Sequence, residues 1–270
     1  MESKVSIIIP TYNGEKYIKG TIESCLNQTY PNVETIVIDD CSNDNTVSIL
    51  KEYGEKIRLY LNEENQGISK NVNKGVGLSE GKYFILLGHD DLLAKNHVEV
   101  MVNEFINDTL VAIHCNSMLI DSLGKKIKLS RDNITQIKKT NNCIFELSID
   151  NFISSCGMIH KKKVFEKVKG WDETYKLYGE WLYYIKSLEH GSIGYSDKVH
   201  AFYRRHETNI TNTFQNENTR KNLEIYFNNC RSKAIKQGKF NLIQLLNIKI
   251  YNTRKKYIIK LKNFIKKIVN

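Results

Sequence analysis

The stretch "VSIIIPTYNGEKYIKGTIESCLNQTYPNVETIVIDD", Val5 to Asp40, decides the fold. It opens on an apolar run, Val5 to Ile9, that stops at Pro10, and it closes on a second run, Val33 to Asp39. Between the two, Tyr17 to Leu26 sets Ile18, Ile22, Cys25 and Leu26 on one face at helical spacing. Strands that are apolar almost throughout are covered on both faces, and a helix between two of them is a crossover. The segment therefore reads as a parallel β-α-β unit.

The alternation continues outward from there. "IRLYL" (57 to 61) and "YFILL" (83 to 87) read as strands, while Thr46 to Tyr53 and Ile68 to Leu78 read as helices. This predicts an α/β fold with a Rossmann-like, mostly parallel central sheet flanked by helices. Beyond residue 110 the pattern loosens. "LVAIHCNSMLI" (110 to 120) reads as a strand, "DSLGKKI" as a turn and Arg131 to Asn142 as a polar, mobile loop. "GWDETY" (170 to 175) is a turn leading into a helix from Glu180 to His190, and "HAFYRRH" (200 to 206) is a strand running into "ETNITNT".

With 270 residues and 41% hydrophobic content the chain can bury a proper core. Its six cysteines are scattered, without a CxxC pair or zinc-ligand spacing, and read as small core hydrophobes in a reducing compartment. The apolar run before Pro10 is too short for a signal peptide or a membrane span, so a cytoplasmic location is expected. The net charge is +10, but 14 of the 40 Lys and Arg and only one of the 30 acids, Glu224, lie in Thr219 to Asn270. The tail thus carries +13 and the rest of the chain −3. A net-acidic body with aliphatic rather than base-stacking partners for its cations argues against a nucleic-acid binder.

In open α/β sheets, ligands bind outside the carboxyl ends of the strands, where the strand order reverses. The four strands here end in "PTYNGE", "DDCSNDNT", "NEENQG" and "GHDD", all polar. Asn43 to Asn45 ahead of Thr46 is N-cap chemistry, which leaves Asp39 and Asp40 unexplained. Adjacent carboxylates at Asp90 and Asp91 repel one another. Either they form a solvated turn or they face something positive, and hard cations take such oxygen ligands. A basic side chain after a glycine turn, Lys70 after Gly67, can reach phosphates. Tyr12 offers an aromatic face to a base, and Asp40 an acceptor for the imide N–H that uracil or thymine presents.

In order and spacing, "VSIIIPTYNGEKYI", "IVIDDCSNDNT", "NQGISKNVNKGVGLSEGKYFILLGHDD", "GWDE" and "YRRHETNIT" resemble family 2 glycosyltransferases of the GT-A fold, over roughly residues 5 to 212. The resemblance implies an inverting hexosyl- or N-acetylhexosaminyltransferase, with a UDP-sugar donor, a glycan or lipid-linked saccharide acceptor, Mn2+ or Mg2+, and a place in surface polysaccharide synthesis. By position it sets Pro10, Thr11, Tyr12 and Asp40 around the base and Asp90 near the ribose. Asp91 falls on the metal, with His206 completing its shell. Glu180 falls at the catalytic base, which takes the acceptor hydroxyl's proton, with Asp172 as a positioning residue or helix cap. Three positions depart from the family pattern: Gly88 and Gly179 stand where acids are usual, and Val72 where many relatives have arginine. A catalytically degenerate nucleotide- or glycan-binding relative, or a sugar nucleotidyltransferase, is the alternative, although "PTYNGEKYI" lacks the basic Gly-rich loop that the latter needs.

The implied organisation is a nucleotide-sugar-binding half (1–115), an acceptor-binding half of the same domain (116–212) and a basic amphipathic tail (213–270). Each site residue also has a plainer reading. Tyr12 can pack over the sheet edge, Glu180 can be a helix-start acid favoured by the dipole, and His206 can be structural. His89, His114 and His160 read as structural, and Trp171 and Trp181 as core or acceptor-pocket residues. "TRKKYIIKLKNFIKKIVN" puts Ile258, Leu261, Ile265 and Ile268 on one helical stripe among lysines, suited to an anionic membrane face through residues 240–270 or to packing on the body or a second subunit. The oligomeric state is left open.

Overall fold

The computed structural model describes residues 2–131, 143–175, 178–207, 209 and 217–253. Its strands are β1 (Val5–Thr11), β2 (Val33–Asp39), β3 (Arg58–Leu61), β4 (Tyr83–Leu86), β5 (Leu92–Leu93), β6 (Leu110–Ile120), β7 (Lys126–Leu129), β8 (Ile159–Lys161) and β9 (Ser192–Arg204). The helices are α1 (Ile18–Leu26), α2 (Thr46–Lys51), α3 (Ile68–Leu78), α4 (His97–Asn103), α5 (Cys143–Leu147), α6 (Lys162–Lys167), α7 (Glu180–Ser187) and α8 (Glu217–Gln237). A further helix, α9, follows over 242–253.

One sheet runs in the order β3-β2-β1-β4-β8-β6-β9-β5, with β7 paired to β6. The first four strands are parallel, in the register Ile8 to Ile36 and Ile8 to Leu86. From β1 the chain steps outward to β2 and β3, then returns to place β4 on the opposite side of β1. The order therefore reverses between β1 and β4, so the β1 and β4 end loops flank the crevice where open α/β sheets bind ligands. Past β4 the sheet becomes mixed: β8 is antiparallel to both β4 and β6, and β9 runs parallel to β6.

Alternation along β1 sorts the core into two layers. Val5, Ile7 and Ile9 face one side with Ile18 and Ile22 of α1, while Ile8 faces the other with Val72 and Val76 of α3. This double coverage is why the strands read as unbroken apolar runs. Helix α8 docks on the second layer through Tyr226, Cys230 and Ala234, all buried. The ring of Tyr226 lies 4.8 Å from that of Tyr178. The start of the basic tail is thus part of the folded body. The stripe Ile258 to Ile268, most of Arg131 to Asn142 and most of "ETNITNT" lie outside the described residues. No helix among the described residues is long and apolar enough to cross a membrane.

Candidate active site

At the end of β1, Thr11 is buried, Tyr12 is 43% exposed and the chain turns through Asn13 at φ 50°. This turn is stitched to the loop after β2. The Asn13 N–H donates to Ser42 Oγ at 2.9 Å, the Asn43 N–H to Asn13 Oδ1 at 2.8 Å and the Asn45 N–H to Glu15 Oε2 at 2.9 Å. The cap chemistry expected of Asn43 to Asn45 is used differently. Asn45 makes no side-chain cap bond to α2. It is Asp44 that accepts from the Thr46 N–H, at 3.0 Å, so "SNDNT" mostly joins two strand ends.

Asp39 and Asp40 hold the neighbouring loops. Asp39 accepts from the Ser42 N–H at 2.9 Å and the Ser42 hydroxyl at 2.6 Å. Asp40 accepts from the N–H groups of Gln66 at 2.8 Å and Gly67 at 2.9 Å and from Asn62 Nδ2 at 2.9 Å. Burial raises the Asp40 carboxyl, but these bonds, with one from Asn71, outweigh it and leave its pKa below the ordinary value. A carboxylate offers about four lone-pair sites, so these four bonds use its acceptor capacity, and a base N–H would have to share an oxygen or displace one of them. Gly67, at φ 83°, supplies the left-handed turn that starts α3. Lys70 follows on the exposed surface of the first turn. Val72 is 1% exposed in the core, so that helix position does not open on this edge.

The β4 end carries the acidic pair. Asp90 Oδ2 pairs with His206 Nε2 at 2.8 Å and accepts from Asn209 Nδ2 at 3.1 Å. Asp91 Oδ1 accepts from the Arg204 N–H at 2.9 Å. Arg204 also donates from Nε to the Asp90 carbonyl at 2.8 Å and lies over the Tyr17 ring, 4.8 Å from its centre. The end of β9 therefore clasps the pair from one side. His206, expected on the metal with Asp91, bonds to Asp90. The second oxygens, Asp90 Oδ1 and Asp91 Oδ2, lie 2.8 and 3.1 Å from the point where a Cβ on residue 88 would stand. Both carboxylates therefore close on the Gly88 backbone, where any side chain would crowd them. Burial, and after it the Asp90 charge, push the Asp91 carboxyl well above the ordinary range, against the Arg204 N–H and the Cys156 thiol.

Among the described residues, no group of three or more His, Cys, Asp or Glu is arranged to hold a metal ion. The donor chemistry nevertheless fits a hard divalent cation. Two carboxylate oxygens converge on one cradle, and their mutual repulsion is what a cation relieves. The protein would contribute Asp91 and Asp90, leaving most of the coordination shell to other oxygen donors.

Glu180 is the first residue of α7, half-buried, with Oε2 accepting from the Gly179 N–H at 3.1 Å. Burial raises its carboxyl above the ordinary glutamate value, with backbone N–H bonds of Glu180 and Gly179 offsetting part of the rise. A Cβ on Gly179 would stand 2.8 Å from Trp171 side-chain atoms. The usual acid at that position is excluded here by the indole, and Glu180 is left as the acid at this helix start. Trp171 and Trp181 are both buried.

Sequence reasoning missed Asn73. Its Oδ1 accepts from the Trp171 N–H at 2.9 Å, and its Nδ2 donates to the Trp171 carbonyl at 2.9 Å and to Glu173 Oε1 at 2.9 Å. One side chain on α3 thus ties that helix to the turn that leads into Glu180. The available signal was an asparagine inside a helix, where that residue is unfavourable unless it bonds elsewhere. Asn73→Ala strands two Trp171 backbone groups. It should cost about 1–3 kcal/mol in denaturant unfolding and lower kcat more than it raises KM. An unchanged unfolding midpoint and kcat would reduce the clasp to a surface contact.

The family-model description "Glycosyl transferase family 2" matches residues 6–168. The chain belongs to glycosyltransferase family 2. An uncharacterized glycosyltransferase of Rickettsia typhi is 33% identical over 216 residues, covering 79% of this chain and 67% of that protein. Staphylococcus aureus TarS 1-349 in complex with UDP-GlcNAc superposes with a TM-score of 0.65 at 21% identity, over 88% of this chain and 68% of that one. A mannosyltransferase of Pyrobaculum calidifontis, in complex with GDP-Man and Mn2+, superposes with a TM-score of 0.62 at 14% identity, over 94% and 80%. At those identities the two structures establish the GT-A fold.

Proposed function

We propose that this family 2 glycosyltransferase transfers a hexose or N-acetylhexosamine from a UDP-sugar to a glycan or lipid-linked saccharide, with inversion and with a divalent cation. The observation that carries the reading is the approach of Asp90 Oδ1 and Asp91 Oδ2 to one point beside Gly88, on the strand edge where the sheet order reverses. Support for the donor class comes from the UDP-GlcNAc and GDP-Man complexes of the two structural neighbours. Uracil is assigned as the base: Tyr12 presents a ring face, and Asp40 would accept a single imide N–H by sharing an oxygen or displacing one of its four bonds.

Glu180, with its raised pKa, accepts the proton of the acceptor hydroxyl as that oxygen attacks the anomeric carbon from the face opposite the diphosphate. The bond from that carbon to the diphosphate oxygen breaks with its electron pair, and the nucleoside diphosphate leaves. A cation on Asp91 and Asp90 would supply charge stabilisation to the leaving group. Lys70 lies on the first turn of α3, beside the loop that Asp40 organises, and is assigned to the phosphates. The same reading puts the enzyme in surface polysaccharide synthesis, cytoplasmic and peripheral at the inner face of the membrane.

A thermal-shift panel of UDP, GDP and their sugars, with and without Mn2+, tests the donor and cation together. A ligand at one hundred times its Kd stabilises by about 2.7 kcal/mol, a readily measured rise in Tm. UDP compounds should raise Tm in the presence of Mn2+ and raise it less in its absence. A response to GDP alone, or one indifferent to Mn2+, would overturn the assignment.

A further inference from the structure

We propose that the exposed face of α9 is a docking surface for an anionic lipid bilayer. Along this helix Leu242, Leu246 and Ile250 recur every fourth residue, so they stack on one stripe. They remain 81%, 55% and 42% exposed, and Ile243 beside them is 71% exposed. Ile248 is the one buried side chain of α9 among the described residues. It lines, with Ile235 of α8, Leu245 and Asn252, a shallow hollow of about 290 Å3 between the two helices. The helix is thus held to the folded body by one side, and its aliphatic stripe is left in water.

Charge decides what covers it. Residues Thr219 to Asn270 carry +13, Lys249 lies on α9 itself, and Arg254, Lys255 and Lys256 follow directly in sequence. A second copy of the chain would bring an equal positive charge against this face. Anionic headgroups supply the opposite sign and attract cations that lie near their surface. Tyr251, 43% exposed, adds an amphipathic ring suited to the headgroup level. The apolar stripe and the cations together describe a helix that lies in the interface plane. The inference deepens the peripheral location proposed above, and it is independent of the chemistry at Asp91 and Glu180.

The test is co-sedimentation of the full chain with phosphatidylglycerol–phosphatidylcholine vesicles and with pure phosphatidylcholine vesicles. Binding should be confined to the anionic vesicles. The triple variant Leu242→Ser, Leu246→Ser, Ile250→Ser should bind them at least roughly tenfold more weakly. Its Tm and its UDP-sugar hydrolysis in solution should match wild type, because the three side chains are exposed and lie outside the candidate site. Hydrolysis without vesicle binding would sink this inference and leave the transferase reading standing; vesicle binding without hydrolysis would do the reverse. Equal binding by the triple variant would assign membrane affinity to the lysines alone. A wild-type dimer that the triple variant dissolves, with no vesicle binding, would make the face a subunit contact.

Discussion

Asp91→Asn is expected to lower cation-dependent turnover by about 10²- to 10³-fold, the scale seen when one preorganised charge-stabilising group is removed, while the fold survives. The geometry makes this substitution unusually clean. Asparagine keeps the carbonyl oxygen that accepts from the Arg204 N–H at 2.9 Å, and it matches aspartate in volume. What it removes is one of two like charges at a buried position. The Asp91 carboxyl is held well above its ordinary pKa by burial and by Asp90. For an acid shifted upward, the ionised form is the less stable one in the folded chain. Stability from this group is therefore greatest at low pH and is lost as pH rises from the unfolded value toward the raised folded one. Above that window, Asn should leave the protein equally or more stable. Loss of activity with an equal or higher Tm, and loss of the Mn2+-dependent thermal shift with UDP, would identify Asp91 as a cation ligand. A fully active variant would return the Asp90–Asp91 pair to a turn.

The pair also shows where sequence reading reached its limit. Runs such as Val5 to Ile9 and Val33 to Asp39 announce strands because both faces of the sheet are covered, and β2, β6 and α3 fall on the expected residues. β5, with two residues, and β8, with three, are too short for any periodicity to register, yet β8 is the strand that joins the parallel half to β6. β9 begins at Ser192, well before the expected Val199–His200 boundary. Its first half pairs with β6 through irregular register, which breaks the alternation a strand is recognised by.

At the site, residue types and order were legible because strand ends gather on one edge. Partnerships were not. His206 bonds to Asp90, and Asp40 spends most of its acceptor capacity on the Asn62 to Gly67 loop. Asn73 joins segments about one hundred residues apart in sequence. Such contacts depend on how α3 sits against the Trp171 turn, a tertiary fact without a local signature. The departures from the family pattern turned out to have steric content. Gly88 makes room for its neighbours' carboxylates, and Gly179 makes room for Trp171.

Glu180→Gln should reduce transfer by about 10²- to 10⁴-fold, the range for loss of a general base, with UDP affinity unchanged. Gln keeps the size of the side chain and the oxygen that accepts from the Gly179 N–H at 3.1 Å, but it cannot take the acceptor's proton. The wild-type rate supplies an independent signature. Burial, only partly offset by backbone N–H groups, raises the Glu180 carboxyl, and a base must be ionised to act. The acid limb of kcat/KM should therefore fall at a pH above the ordinary glutamate value, and the limb should disappear from whatever residual rate the Gln variant retains. As with Asp91, an upward-shifted acid destabilises the fold once ionised, so the Gln variant should be no less stable near neutral pH. Glu180→Asp, shorter by one methylene, keeps the charge and changes the reach. It should recover part of the rate if proton transfer is the role and little if reach dominates, while retaining an acid limb. A helix-start acid that merely complements the α7 dipole would contribute about 0.3–1 kcal/mol of stability and no pH limb at all. Stability loss in Glu180→Gln with full activity would point to that role and move the search for the base elsewhere.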